Sequence, residues 1–340
     1  MNKSLTFPSL AHSRWLQPLK RLSKGDNPAR HLFTGLARNL GVPLAGLAVF
    51  LLLWHGAASN INTSLGQFPG PKQALQQAQV LYQEHKDERI KADAFYQRQQ
   101  ARNAARVAQD PDYQPRIRAY TGKPTYIDQI GTSLVTVLTG FILASVIAIP
   151  VGIVIGLSNS LYAAFNPVIQ LFKPVSPLAW LPLVTMLVSA LYVRDDPSVP
   201  KSFVTSMITV MLCCLWPTII NTAVGVASVS RDLLNVSQVL RLSWLTHVRK
   251  IVLPSSIPMV FTGLRLSLGI AWMVLIAAEM LAQNPGLGKF VWDEFQNGSS
   301  DSLGRIMVAV ITIGLIGFLL DRLMLALQKA VSWDKSVTLR

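Results

Sequence analysis

The chain has 340 residues, 51% of them hydrophobic and 14% charged; soluble domains carry about 25% charged residues, so an ordinary soluble protein is excluded. The formal net charge of +14 would suggest nucleic acid as a partner for a soluble chain. Here Lys and Arg flank apolar runs, as residues that retain cytoplasmic loops do, so membrane lipid is an expected partner and nucleic acid is not.

Residues 1–39 form a polar, basic segment with Lys3, Arg14, Lys20, Arg21, Lys24, Arg30 and Arg38. The first apolar run, 40–58, follows. So long a basic region does not fit a cleaved signal peptide, despite the small residues Ala57, Ala58 and Ser59, and the run predicts an uncleaved anchor helix. The next stretch, 59–128, is polar, with paired charges such as Glu84, Lys86, Asp87, Glu88 and Arg89. Leu75, Ala78, Leu81 and Tyr82 recur at helical spacing, and Asp110-Pro111-Asp112 and Gly122-Lys123-Pro124 mark turns. It predicts a periplasmic insert of one or two helices.

Residues 129–328 hold five further apolar stretches, near 131–157, 166–193, 202–227, 258–282 and 305–327, each long enough for the roughly 20 residues of a bilayer crossing. Residues 329–340 form a short basic tail. The expected fold is an all-α integral membrane protein with six transmembrane helices, one anchor plus a five-helix core, and a helical insert. Basic residues at the N-terminus, between crossings four and five (Arg231, Arg241, Arg249, Lys250) and in the tail (Lys329, Lys335, Arg340) share one side under this count. The positive-inside rule makes that side cytoplasmic, with both termini on it.

Enzymatic chemistry finds no support. A P-loop requires Gly, four residues, then Gly-Lys-Ser/Thr; Gly288-Lys289 lacks the earlier glycine, Gln283 standing there, and Phe290 follows the lysine. Cys213 and Cys214 are neighbours in an apolar run, and the five histidines are scattered, so neither a disulfide framework nor a metal site is expected. No cofactor is expected in this chain.

Two charges stand at membrane depth, Arg265 and Glu279, where each costs on the order of 2.5–3.5 kcal/mol by insertion scales. They lie about 21 Å apart along one helix, too far to pair with each other. Each is either an interface anchor or partner of another helix, or part of a translocation route. Trp180, Trp216 and Trp272 offer indole N–H groups inside crossings, and Asn221 an amide. Pro174, Pro177, Pro182 and Pro217 free backbone groups toward a cavity.

Between crossings four and five, Leu233, Val236, Val239, Leu240 and Leu242 give a broad apolar face at helical spacing. A helix outside the bilayer must bury such a face, on its own chain or on a partner. Leu253-Pro254 is read as its stop, with Ser255 or Ser256 capping the next helix. The expectation is a short helix within 231–250 across the mouth of the bundle, then a sharp turn into crossing five.

A helix ending in a Leu-Pro step resembles the coupling segment of ABC importer permeases. The family's Glu-Ala-Ala places fall here at Asn235, Val236 and Ser237, and its Gly place at Arg241. The step Leu240-Arg241-Leu242-Ser243 is similar to the nitrate/nitrite/cyanate branch. So are LFKPVSPLAWLPL at 171–183, FTGLRLSLGIAW at 261–272, AAEML at 277–281, GLGKFVWDEFQN at 286–297 and IGLIGFLLDRLM at 313–324. The resemblance implies a multi-pass subunit of the bacterial inner membrane that moves nitrate, or nitrite or cyanate, by alternating access. Bicarbonate, sulfonate and taurine permeases share much of the same core. It also implies a homodimer with a second permease copy, two cytoplasmic ATPase subunits that hydrolyse ATP, and a periplasmic or lipoprotein solute-binding protein. Leu233, Val236, Val239, Leu240, Arg241 and Ser243 would meet the ATPase, and Trp180, Asn221, Arg265, Trp272 and Glu279 would line the route. The rival from another class is an ATP-independent anion channel or secondary transporter. The positioned helix and the scarcity of intramembrane carboxylates argue against it.

Overall fold

The computed structural model describes residues 41–63, 66–110, 112–192 and 199–331. These described residues divide into two compact units, one up to residue 72 and one from residue 73 on. In the first, α1 (Val42–Asn60) covers the first apolar run and is apolar on every side, as a lipid-embedded helix is. The Trp54 indole donates to the Pro69 carbonyl at 3.1 Å. A small antiparallel pair, β1 (Asn62–Thr63) and β2 (Gly66–Gln67), follows.

The insert is one helix rather than two: α2 (Pro71–Gln109), 39 residues long, with only Ala74, Leu81 and Ala92 buried. The chain then returns beside it in extended form. The Gln99 side chain both donates to the Arg118 carbonyl and accepts the Arg118 N–H, each at 3.1 Å, a side chain standing in for a strand partner.

The core contains α3 (Tyr126–Gly156), α4 (Asn159–Phe172), α5 (Pro177–Leu191), α6 (Lys201–Ala227), α7 (Arg231–Val239), α8 (Trp244–Ala282), α9 (Leu287–Asn297) and α10 (Ser302–Val331). Helix α3 begins earlier than hydropathy predicts because Thr125 and Asp128 form a capping box, the Asp128 carboxylate accepting the Thr125 N–H at 3.0 Å. Helices α3, α6 and α8 pack most closely. At Gly152 an added Cβ would lie 2.6 Å from Thr222 Cβ, and at Gly156 2.7 Å from Val226 Cβ, so α3 and α6 touch through bare backbone. Ile153, Val226 and Val252 cluster at one end. Helices α3 and α6 therefore run in one direction and α8 returns in the other. The Arg231 segment lies at that end, opposite the insert.

Two expectations are corrected. The third crossing, expected as one span over 166–193, is the pair α4 and α5 bent by 96°. Pro174 supplies no donor, and Pro177 forces Ser176 into extended backbone (ψ 140), from where the Ser176 hydroxyl accepts the Leu178 N–H at 3.3 Å. Among the described residues five helices are long and apolar enough to cross a bilayer, and the bent pair, counted as one span, brings the number to six. The second correction concerns Leu253-Pro254, which does not stop a helix. Helix α8 is continuous over 39 residues, because Val248–Val252 widens into a π turn in which the Leu253 N–H reaches the Val248 carbonyl. The wider turn leaves room for the proline ring against the preceding carbonyls. The break comes earlier, at Arg241.

Candidate functional site

At the Arg231 end, α7 closes in a complete Schellman turn. The Leu242 N–H reaches the Ser237 carbonyl at 3.1 Å, the Arg241 N–H reaches the Gln238 carbonyl at 3.0 Å, and Arg241 takes a left-handed backbone, φ 46. That position favours glycine, which lacks the Cβ that crowds this conformation. Ser237 turns inward and its hydroxyl meets His247 Nδ1 at 2.8 Å, fastening α7 to the first turn of α8. Ser243 bonds Thr246 at 2.8 Å. Apolar side chains of α7 are left uncovered: Leu233, Val236, Val239 (82% exposed) and Leu240 (62%) stand in the open, with Trp244 and Leu245 beside them. The six residues expected to meet a partner thus share one small region, and its apolar members are not buried by this chain.

The expected route residues do not form one cluster. The Trp272 indole is used within the fold, donating to the Ile313 carbonyl at 2.8 Å. The Asn221 amide donates to Pro217, the carbonyl of its own preceding turn, at 2.8 Å. Trp180 packs against the apolar cluster that includes Trp272. Phe172, at the end of α4, lies between Trp180 and Trp216, both ring centroids 5.8 Å away, and stacks on Trp216 with planes 10° apart. The indole N–H groups of Trp180 and Trp216 meet no acceptor among the described residues.

The two membrane charges have different surroundings. Glu279 is fully buried. Its carboxylate accepts from the Ser133 hydroxyl at 2.8 Å and from the Gly288 N–H at 3.0 Å, and Ser133 in turn accepts the Leu287 N–H at 2.9 Å. A Cβ at Gly286 would collide with this carboxylate, and one at Gly288 with the Ile276 carbonyl. Arg265 pairs in a fork with Asp321 on α10, Nε to Oδ1 at 2.5 Å and Nη2 to Oδ2 at 2.9 Å. Side-chain periodicity pointed to neither partner. In the sequence Asp321 is a charge near the end of the sixth apolar stretch and Ser133 one small residue in the second.

At the opposite end, Arg305 ties the insert to the core by pairing with Glu84 on α2 and with Glu294 on α9, the latter at 3.0 Å. Arg89 pairs with Asp128. A cleft of about 380 Å³ lies among Glu84, Glu88, Lys123, Asp293 and Arg305. The Tyr120 hydroxyl donates to Glu88 at 2.8 Å and holds its carboxyl below the usual range.

Comparison with known proteins places this architecture. Residues 148–333, just over half of the chain, match the family described as binding-protein-dependent transport system inner membrane component. The chain is 40% identical over 204 residues to the nitrate import permease protein of Synechococcus elongatus, covering 60% of this chain and 69% of that one. It is 38% identical to the nitrate import permease protein of Leptolyngbya laminosa, covering 57% of this chain and 65% of that protein's length, just under two thirds. The bicarbonate transport system permease protein of Synechococcus elongatus is 33% identical over 289 residues, 85% of this chain and 88% of that one. Among solved structures, an inward-facing methionine ABC transporter chain shares the fold at a TM-score of 0.52 and 12% identity, over 61% of this chain and 95% of that one. An all-α bundle of apolar spans and a family match across its core lead to one conclusion: the chain belongs to the binding-protein-dependent transport system inner membrane components, as a multi-pass ABC importer permease of the branch that holds the nitrate and bicarbonate permeases.

Proposed function

We propose that this permease carries nitrate across the inner membrane by alternating access, as a homodimer served by two ATPase subunits and a periplasmic or lipoprotein solute-binding protein. Residues 59–128 lie in the periplasm and both termini in the cytoplasm. The observation that carries the reading is the uncovered apolar side of α7, at the end of the bundle rich in Arg231, Arg241, Arg249 and Lys250. Apolar side chains outside the bilayer gain about 1.5–3 kcal/mol each on full burial, so Val239, Leu240 and their neighbours fit a groove on the ATPase. ATP-driven closure then moves α7. The Ser237–His247 contact and the Schellman turn pass that movement into α8, which runs unbroken to the Glu279 end. Nitrate as cargo is supported by the 40% identity to a nitrate import permease.

Bicarbonate is the second reading, supported by similarity that extends over 88% of a bicarbonate permease. Reconstitution of the permease with its ATPase and binding protein in proteoliposomes separates the two. Uptake of nitrate that depends on ATP and on binding protein, with bicarbonate excluded, is the expected result. Uptake of bicarbonate alone would replace the first reading with the second, and uptake without ATP would remove both.

A further inference from the structure

Arg265 is a charged group on a membrane-spanning helix whose pairing is incomplete. A guanidinium carries five N–H groups and presents two forked edges. Asp321 takes the edge formed by Nε and Nη2. The other edge, formed by Nη1 and the second hydrogen of Nη2, meets no acceptor among the described residues. The pair is not sealed by neighbouring side chains either: the two side chains are 31% and 36% exposed. They face a recess of about 570 Å³ whose lining includes Thr262, Gly269, Met273 and Gln328. At Gly269 an added Cβ would meet nothing within 4 Å, so the space beside the guanidinium is open.

We propose that Arg265 and Asp321 form a relay site for a small planar oxyanion in transit, resting on the reading of this chain as an anion importer. The free edge of the guanidinium matches two oxygens of such an anion in the geometry that makes Arg the residue for bidentate oxyanion recognition. Asp321 has two effects. It fixes the fork so that the free edge points into the recess, and it cancels the guanidinium charge, so the anion meets hydrogen-bond donors without a net positive centre. A transit site must bind well enough to draw the ion from water and weakly enough to release it. A bare arginine in a low-dielectric setting would hold an anion too tightly, because Coulomb attraction there is several times its value in water. The neutralised pair replaces part of the hydration shell and lets go. In this arrangement Arg265 binds the cargo and Asp321 sets its residence time.

The test uses the full complex in proteoliposomes with nitrate as the probe. In otherwise wild-type protein, Gly269→Cys places a thiol in the recess at a position with room for it. Nitrate is expected to slow its reaction with N-ethylmaleimide several-fold, while the same concentration of gluconate does not; labelling unchanged by nitrate overturns the proposal. In a second arm, Asp321→Asn removes the countercharge and leaves one side-chain acceptor, Oδ1, for the guanidinium. Nitrate loaded on the release side is then expected to inhibit uptake at a concentration about tenfold lower than in wild type, and an unchanged inhibition curve also overturns the proposal. If Asp321→Asn fails to assemble, the labelling arm decides alone. Wild-type uptake of nitrate without thiol protection refutes the relay site and leaves the importer reading intact. A wild-type complex that takes up neither nitrate nor bicarbonate removes the anion reading, and the site with it.

Discussion

Ser133 and Glu279 stand 146 positions apart and share a hydrogen bond of 2.8 Å in the interior, where Ser133 also accepts the N–H that opens α9. One hydroxyl thus joins α3, the end of α8 and the loop between α8 and α9. Replacing it leaves a buried carboxylate and a buried N–H short of a partner, which costs on the order of 1–3 kcal/mol per group. Ser133→Ala is expected to lower the unfolding temperature of the purified permease by several degrees, and Gly288→Ala to lower it further by forcing a methyl onto the Ile276 carbonyl. Unchanged melting in both variants would show that the loop is held elsewhere.

Arg241 offers the opposite effect. Its left-handed backbone costs an L-residue roughly 1–2 kcal/mol, and the Schellman turn would form more readily around glycine. Arg241→Gly is expected to raise stability by about 1 kcal/mol, and Arg241→Val, β-branched, to lower it. Thermal unfolding of both variants checks the sign; a less stable glycine variant would mean that the arginine side chain contributes more than its backbone conformation costs.

Coupling is tested on the uncovered face. Leu240→Asp and Val239→Asp alter residues that this chain does not bury, so membrane abundance is expected to stay near wild type. ATPase co-purification and stimulation of hydrolysis by binding protein should both fall, because coupling is one free energy read at two sites. Full ATPase binding with full stimulation would make this helix surface a bystander.

Sidedness has its own measurement. A cysteine at Gln100, on the exposed part of α2, is expected to react with an impermeant thiol reagent in cells whose inner membrane is intact. Reaction only after that membrane is breached would invert the proposed topology.

The spans were legible because about twenty apolar residues leave a helix few alternatives in a bilayer, and the anchor 40–58 against α1 (Val42–Asn60) illustrates it. The bend at Pro174 and Pro177 was not, since hydropathy stays high through both. Leu253-Pro254 misled for the reverse reason: a proline read locally is a stop, yet a π turn three-dimensionally absorbs it. Arg241 concealed a helix end because the residue that would announce a left-handed turn, glycine, is absent. The pairs Arg265–Asp321 and Ser133–Glu279 join residues 56 and 146 positions apart; no local spacing encodes such a meeting. The apolar face of α7 was readable because amphipathicity is local.

The unbroken length of α8 makes it a beam. Its 39 residues span about 58 Å, from the surface beside Trp244 to the loop fastened by Glu279. A tilt of about 5° around its middle displaces the two ends by roughly 2.5 Å in opposite directions. A modest push at Trp244 therefore arrives at the far side of the bilayer as a side-chain-sized shift, provided that the beam does not flex on the way. Its softened stretch, the π turn Val248–Val252 with Pro254 and Pro258 after it, lies toward the pushed end, so the shaft beyond it moves as a unit.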